Sequence, residues 1–299
     1  MKPPAPLVSV IIATAAKAER AVALRRAIDG ALAQEPRPEV VVVVNGAAYD
    51  PPLFEALSSR PGVRREYLEV GSYPAAQRRG RELVRTEYFC YLDDDDELLP
   101  GSIAARLGRL QASDKPDVVV ASGVRRLADA DVAYCERRPA DEDDLMLSIL
   151  GDNWFASPAP LFRSARVGVE FFDGRTQWFE WTLLALRLLT AGRRFAFVDT
   201  VGFRLHDSPI SLSKESRGKP HVPAFLTQLL RLQPGLPEHV CRAIRRRLSD
   251  AHHACSDLER ERGNPLHAWR HHLRSLLLPG GLRYLAYTRH LVVSRRSAR

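Results

Sequence analysis

Cysteine is scarce in this chain: Cys90, Cys135, Cys241 and Cys255 lie far apart, with no CxxC pair and no zinc-type spacing. That excludes a disulfide framework and a structural zinc site, and it reads as reduced thiols in a cytosolic setting. No apolar run approaches the roughly 18 residues needed to span a bilayer. The opening Met1-Lys2-Pro3-Pro4 runs straight into a strand-like segment, so a signal peptide's apolar stretch and small-residue cleavage site are missing. The expected location is the cytoplasm. Internal repeats and low-complexity tracts are absent. Lysine is rare as well, and arginine carries nearly all the positive charge.

What is present is an ordinary globular composition, 45% hydrophobic and 27% charged over 299 residues. The net charge of +8 is unevenly placed. From His221 onward there are 14 arginines, no lysine and five acidic residues, a net +9, so the first 220 residues are close to neutral. The composition therefore divides the chain near residue 220.

Residues 7–125 alternate two periodicities. Leu7–Thr14 and the five valines Val40–Val44 are unbroken apolar runs, as strands buried on both faces require. Val63–Val70, Tyr88–Leu92 and Asp117–Ala121 are further strand candidates. Between them, Arg20–Gln34 places Leu24, Ala27, Ile28, Ala31 and Leu32 on one helical face, and Pro74–Val84 and Ser102–Leu110 also read as helices. Strand–helix alternation with short connections predicts a doubly wound, mostly parallel α/β sheet. Helices are expected at Asp141–Leu150 and Glu180–Ala191, and a strand at Arg194–Val198. Beyond Pro220 the pattern is helical only. Ligands of such sheets bind outside the carboxyl ends of the strands, a rim that gathers Thr14, Asn45 and the run Asp93-Asp94-Asp95-Asp96.

Four consecutive aspartates repel one another unless a cation sits among them. Hard oxygen ligands of this kind suit Mg²⁺ or Mn²⁺ shared with substrate phosphates, whereas a solvated acidic turn is the plain alternative. Placement at the end of a buried strand favours the metal site.

The order of motifs, SVIIATAAK, ALAQ, the valine strand, YLDDDDELLP, then FFDG at 171–174, FEW at 179–181, LRLLTAG at 186–192 and RLH at 204–206, resembles the family 2 glycosyltransferases of the GT-A fold over roughly residues 7–214. The resemblance implies a GT-A-type, Rossmann-like catalytic domain over 1–220, with a nucleotide-binding part near 1–125 and an acceptor-binding part near 126–220. The basic helices of 221–299 form a C-terminal extension. It also implies inverting transfer of a sugar from a nucleoside-diphosphate donor to a glycan, lipid-linked or small-molecule hydroxyl. In the family pattern Asp95 and Asp93 are metal ligands, Asp93 and Asp94 contact the donor, and His206 approaches the metal or diphosphate. Thr14 and Asn45 face the nucleobase, and Arg78 and Arg79 correspond to a helix near the diphosphate.

This sequence departs from the pattern in three places. The usual proline and asparagine after the first strand are missing from Ala13-Thr14-Ala15-Ala16. Asn45 stands where an aspartate is common. The acidic pair that supplies the catalytic base reads Glu180-Trp181, leaving Glu180 as the candidate base and Asp152 and Asp173 in reserve. That departure also motivates an alternative: a related nucleotide- or glycan-binding protein without turnover. A nucleotidyltransferase is disfavoured because Ala13–Arg20 has no glycine. Of the nearby aromatics, Phe155 is expected in the core, and Trp154 and Trp178 are open between core and sugar platform. For the basic C-terminal helices, a solvated cap and peripheral contact with the inner face of an anionic membrane are both open, while nucleic acid lacks a recognition motif.

Overall fold

In the computed structural model the described residues are 5–135, 139, 144–172, 179–207, 218–232 and 235–293. They form two compact units, 1–209 and 210–299.

The first unit is built on one mixed sheet. Strands β1 (Val8–Thr14), β2 (Glu39–Asn45), β3 (Val63–Leu68) and β4 (Tyr88–Tyr91) are followed by β5 (Glu97–Leu98), β6 (Val118–Leu127), β7 (Ala130–Ala133), β8 (Pro160–Arg163) and β9 (Phe195–His206). Their order is β3-β2-β1-β4-β8-β6-β9-β5, with β7 paired to β6. The first four are mutually parallel. Every residue of β1 and the five valines of β2 are buried, so these two apolar runs form the sheet's centre. Beyond β4 the sheet changes character: β8 runs antiparallel to β4 and β6, while β6 and β9 are parallel. The α/β class with a doubly wound parallel half is as expected; the antiparallel half had no counterpart in the sequence pattern.

Helices α1 (Ala21–Leu32), α2 (Pro51–Ser58), α3 (Tyr73–Leu83), α4 (Ser102–Leu110), α5 (Leu145–Gly151) and α6 (Glu180–Thr190) complete the unit. Leu24, Ala27, Ile28 and Ala31 are the buried face of α1, as their spacing requires. Ser72 caps α3 by accepting from the Ala75 N–H, and Pro74 stands in its first turn, where no amide donor is needed. Gly80 lets α3 lie directly on β1, because a Cβ there would stand 2.3 Å from Ile11 Cγ2.

Two polar side chains shape the segment that follows β4. Gln34, 3% exposed, donates to the carbonyls of Leu98 and Leu99 and accepts from the Ile103 N–H. Arg106, fully buried, donates to the carbonyls of Ser102, Pro158 and Ala159. Each satisfies backbone groups that would otherwise be orphaned in the interior.

The second unit is helical: α7 (Gly218–Leu232), α8 (Glu238–Glu261), α9 (Pro265–Leu276) and α10 (Thr288–Val293), with a 3₁₀ segment at Gly281–Tyr287. No helix among the described residues is long and apolar enough to cross a membrane.

Candidate functional site

Because β1, β2 and β4 are parallel, their carboxyl ends share one rim, and side-chain hydrogen bonds join them there. Asn45 donates from Nδ2 to the Thr14 carbonyl at 2.9 Å. The Thr14 hydroxyl donates to Asp94 Oδ2 at 2.5 Å. The four aspartates that follow β4 point to four different environments.

Asp93 accepts from the Tyr73 hydroxyl at the start of α3. Asp94 is held by Thr14 and by the Arg20 guanidinium, whose Nε lies 3.1 Å from Oδ2. Asp95 meets the same guanidinium at 3.0 Å and keeps more of its surface exposed than Asp94. Asp96 is turned inward and accepts from the His206 backbone N–H at 3.0 Å. Glu97 extends the chain of charges, pairing with Arg26 at 3.1 Å and Arg204 at 2.7 Å, with the His206 ring 3.4 Å away.

Among the described residues one cation, Arg20, thus pairs with carboxylates of this run, and it reaches two of the four, Asp94 and Asp95. Burial dominates the electrostatics of three of the four. It pushes Asp93 up to about 6 and lifts Asp96 well above the ordinary carboxylate range, with the neighbouring aspartates adding to the rise. Asp94 is also raised, since burial outweighs Arg20 and Thr14. Tyr73 rises by burial first, then through the charges of Asp93 and Glu180. Ser157 lies beside Asp93 and Tyr73 with its hydroxyl buried, and it favours the charged form of both.

Glu180 opens α6 and lines a cleft with Pro74, Gln77, Phe172 and Trp181. Its charge reaches Tyr73, so Tyr73 stands electrostatically between Glu180 and Asp93. Trp181 is a core residue, edge-on to Tyr91 at 5.2 Å. Trp154 is also core: it is 3% exposed, donates to Ser148 and packs on Phe195 and Phe197. Phe155 is fully buried, as expected. Asp152 caps the end of α5 and accepts from the Cys135 thiol. Asp173 and Trp178 lie outside the described residues.

The two arginines expected near a diphosphate are engaged elsewhere. Arg79 pairs with Glu66 and Glu82, and Arg78 donates to the Phe172 carbonyl and pairs with Glu82. Instead the structure brings Arg20, Tyr73 and Ser157 to the aspartates. Arg20 carried no signal in an arginine-rich chain. Tyr73 had one: it follows the Ser72 cap at the start of a helix that begins at the same strand-end rim.

The arrangement offers two partly accessible carboxylates, Asp93 and Asp95, and hydroxyls from Tyr73 and Ser157. Among the described residues no three His, Cys, Asp or Glu side chains converge as a metal cage. The carboxylate oxygens of Asp93 and Asp95 are hard donors, a chemistry that fits a divalent ion shared with oxygens of a ligand.

Comparison with known proteins agrees with this fold. Crystal structures of S. aureus TarS 1-349 share it: the one in complex with UDP-GlcNAc has a TM-score of 0.60 at 13% identity, covering 87% of this chain and 75% of that chain. The one in complex with UDP has a TM-score of 0.53 at 14% identity, with 87% and 74% coverage. An uncharacterized glycosyltransferase of Rickettsia typhi (strain ATCC VR-144 / Wilmington) is 35% identical over 118 residues, 40% of this chain and 36% of that protein. A second, from Rickettsia prowazekii (strain Madrid E), is 34% identical over the same shares. The match thus spans about a third of the length of these curated relatives. Residues 9–156 match the family described as Glycosyl transferase family 2, and with the order of motifs and the GT-A-like sheet in agreement, this segment, about half of the chain, belongs to that family.

Proposed function

We propose that this glycosyltransferase moves a sugar from a nucleoside-diphosphate donor to an acceptor hydroxyl with inversion, at the rim where β1, β2 and β4 end. The observation that carries the reading is the run Asp93–Asp96, joined to Thr14 and Asn45 by hydrogen bonds and short of cations. TarS structures of the same fold in complex with UDP-GlcNAc and UDP support a uridine-type donor. Within this reading residues 1–125 bind the nucleotide, with Thr14 and Asn45 facing the base and Asp93 and Asp94 facing the ribose and diphosphate side. Residues 126–220 form the acceptor side, and 221–299 are an extension.

Asp95 and Asp93 are the residues that would hold Mn²⁺ or Mg²⁺, with His206 held nearby through Asp96 and Glu97. When bound, the ion neutralises charge on the leaving diphosphate. Arg20 already cancels part of the carboxylate charge and orients Asp94 and Asp95. Glu180, in the first turn of α6, takes the proton from the acceptor hydroxyl as that oxygen attacks the anomeric carbon. Tyr73 fixes Asp93 by donating its proton, leaving the other carboxylate oxygen for ligand.

Calorimetric titration of UDP, GDP and dTDP, each with Mn²⁺ and with EDTA, tests the reading on wild type and Asp95→Asn. Metal-dependent binding of one nucleotide, lost in a folded Asp95→Asn protein, is expected. Binding that ignores both EDTA and the substitution would remove the metal assignment. One feature favours a second reading, a binding module without turnover: the core residue Trp181 fills the position where the family has its second acid. Donor hydrolysis or transfer by wild type, lost in Glu180→Gln, separates the two.

A further inference from the structure

The second unit contains a helix whose faces are inverted relative to water. The buried positions of α9 are Ala268, His272 and Ser275, while Leu266 and Leu273 in the helix and Leu277 at its C-cap are 78%, 53% and 87% exposed. Spacings of seven and four residues put the three leucines on one stripe. Hydrogen bonds tie this polar interior down: Ser249 donates to the Ser275 carbonyl, Ser256 to the Ala268 carbonyl, and His272 Nε2 meets the Thr288 hydroxyl at 2.8 Å. The 3₁₀ segment continues the apolar surface with Leu282 and Leu285, 74% and 58% exposed.

Charge identifies what this surface meets. After Glu261 the sequence has no aspartate or glutamate and eight arginines. Arg270 and Arg274 flank the leucine stripe, exposed and without an ion pair among the described residues. A self-complementary contact between two copies would set arginine against arginine, because each copy brings the same patch. Nucleic acid would satisfy the charge and leave the leucines in water.

We propose that α9 and the 3₁₀ segment after it dock on an anionic phospholipid surface, the leucines entering the interface and Arg270 and Arg274 meeting the headgroups. The helix lies on the bilayer and does not span it, in keeping with the absence of a spanning helix among the described residues. This inference stands independently of the donor and metal assignments.

Co-sedimentation of the full chain with phosphatidylcholine vesicles, with and without phosphatidylglycerol, provides the test. Binding is expected only to the mixed vesicles and to weaken with salt. Leu273→Ser/Leu277→Ser and Arg270→Gln/Arg274→Gln should each lower the partition coefficient at least about tenfold. Helix content and melting temperature should be unchanged, since all four side chains are exposed. Equal binding to neutral vesicles, or undiminished binding by the leucine variant, would overturn the proposal. So would tRNA binding that the leucine variant retains, or a dimer in sedimentation that the leucine variant dissolves while vesicles capture nothing.

Discussion

Arg20→Ala is the most informative single change. The guanidinium is 19% exposed and contacts both Asp94, whose side chain is 9% exposed, and Asp95. Removing it leaves Asp94 with the Thr14 hydroxyl as its remaining side-chain donor. Deleting one partner of a buried pair costs about 3–5 kcal/mol, and the remaining hydroxyl places this case near about 3. In a unit of about 200 residues, each kcal/mol shifts the melting temperature by about 2–4 °C, so a fall of about 6–12 °C is expected at pH 7. The pH dependence follows from the raised Asp94. Its charged form is penalised in the folded state, a penalty absent below the unfolded value near ~3.9 and growing as pH rises through the folded value. Removing Arg20 lifts that folded value further, so the variant's deficit is largest near pH 7 and shrinks toward pH 5. Asp94→Asn added to Arg20→Ala should restore most of the loss. Calorimetric melts at both pH values decide it. A loss below about 1 kcal/mol at pH 7, or an equal loss at pH 5, would show that Asp94 does not depend on this cation.

Glu180→Gln should lower the transfer rate by at least about 100-fold while leaving nucleotide affinity unchanged, since the carboxylate is assigned to proton removal alone; a fully active variant would remove Glu180 as base. Gly80→Ala should destabilise the first unit by about 1–3 kcal/mol despite the better helix former, because Ile11 is branched and buried where the new methyl arrives; an unchanged melting temperature would mean that α3 can lift from β1 freely. In the second unit His252 is pushed down to about 4, by burial first and then by His271 and Arg274. Its unfolded form binds protons between about 6.5 and 4, so stability is full above that window and falls as pH drops through it. His252→Gln should flatten this slope in pH-dependent melts, and an unaltered slope would place the titration elsewhere.

How much of this was legible in the sequence depended on how local the cause was. β1 and β2 announce themselves because strands buried on both faces need unbroken apolar runs, and α1 because a half-buried helix needs its stripe. β6 and β9 run six and eight residues further than their apolar cores suggest, since their outer halves are half-exposed and admit Arg125, Asp199 and Arg204. The antiparallel placement of β8 left no mark, because orientation resides in the connections rather than in strand composition. At the site the aspartates were plain, but their separate fates were not. Those are set by Arg20, Tyr73 and the His206 amide, which are brought in by the topology from 74, 20 and 110 residues away.

The contact between the His206 amide and Asp96 has a consequence for synthesis. β1 meets β4 about 80 residues later, and β9 must return to β6 and β5 before Asp96 has its donor. Pairings this distant close late, after the shorter loops around them. During translation the rim of β1, β2 and β4 can assemble while residue 206 is still inside the ribosome, with a buried carboxylate awaiting its amide. A fragment ending at residue 156 would contain the whole stretch matched to the family description and would still lack β8 and β9, which complete its sheet. The smallest piece able to complete this sheet is therefore longer than the piece that matches the family.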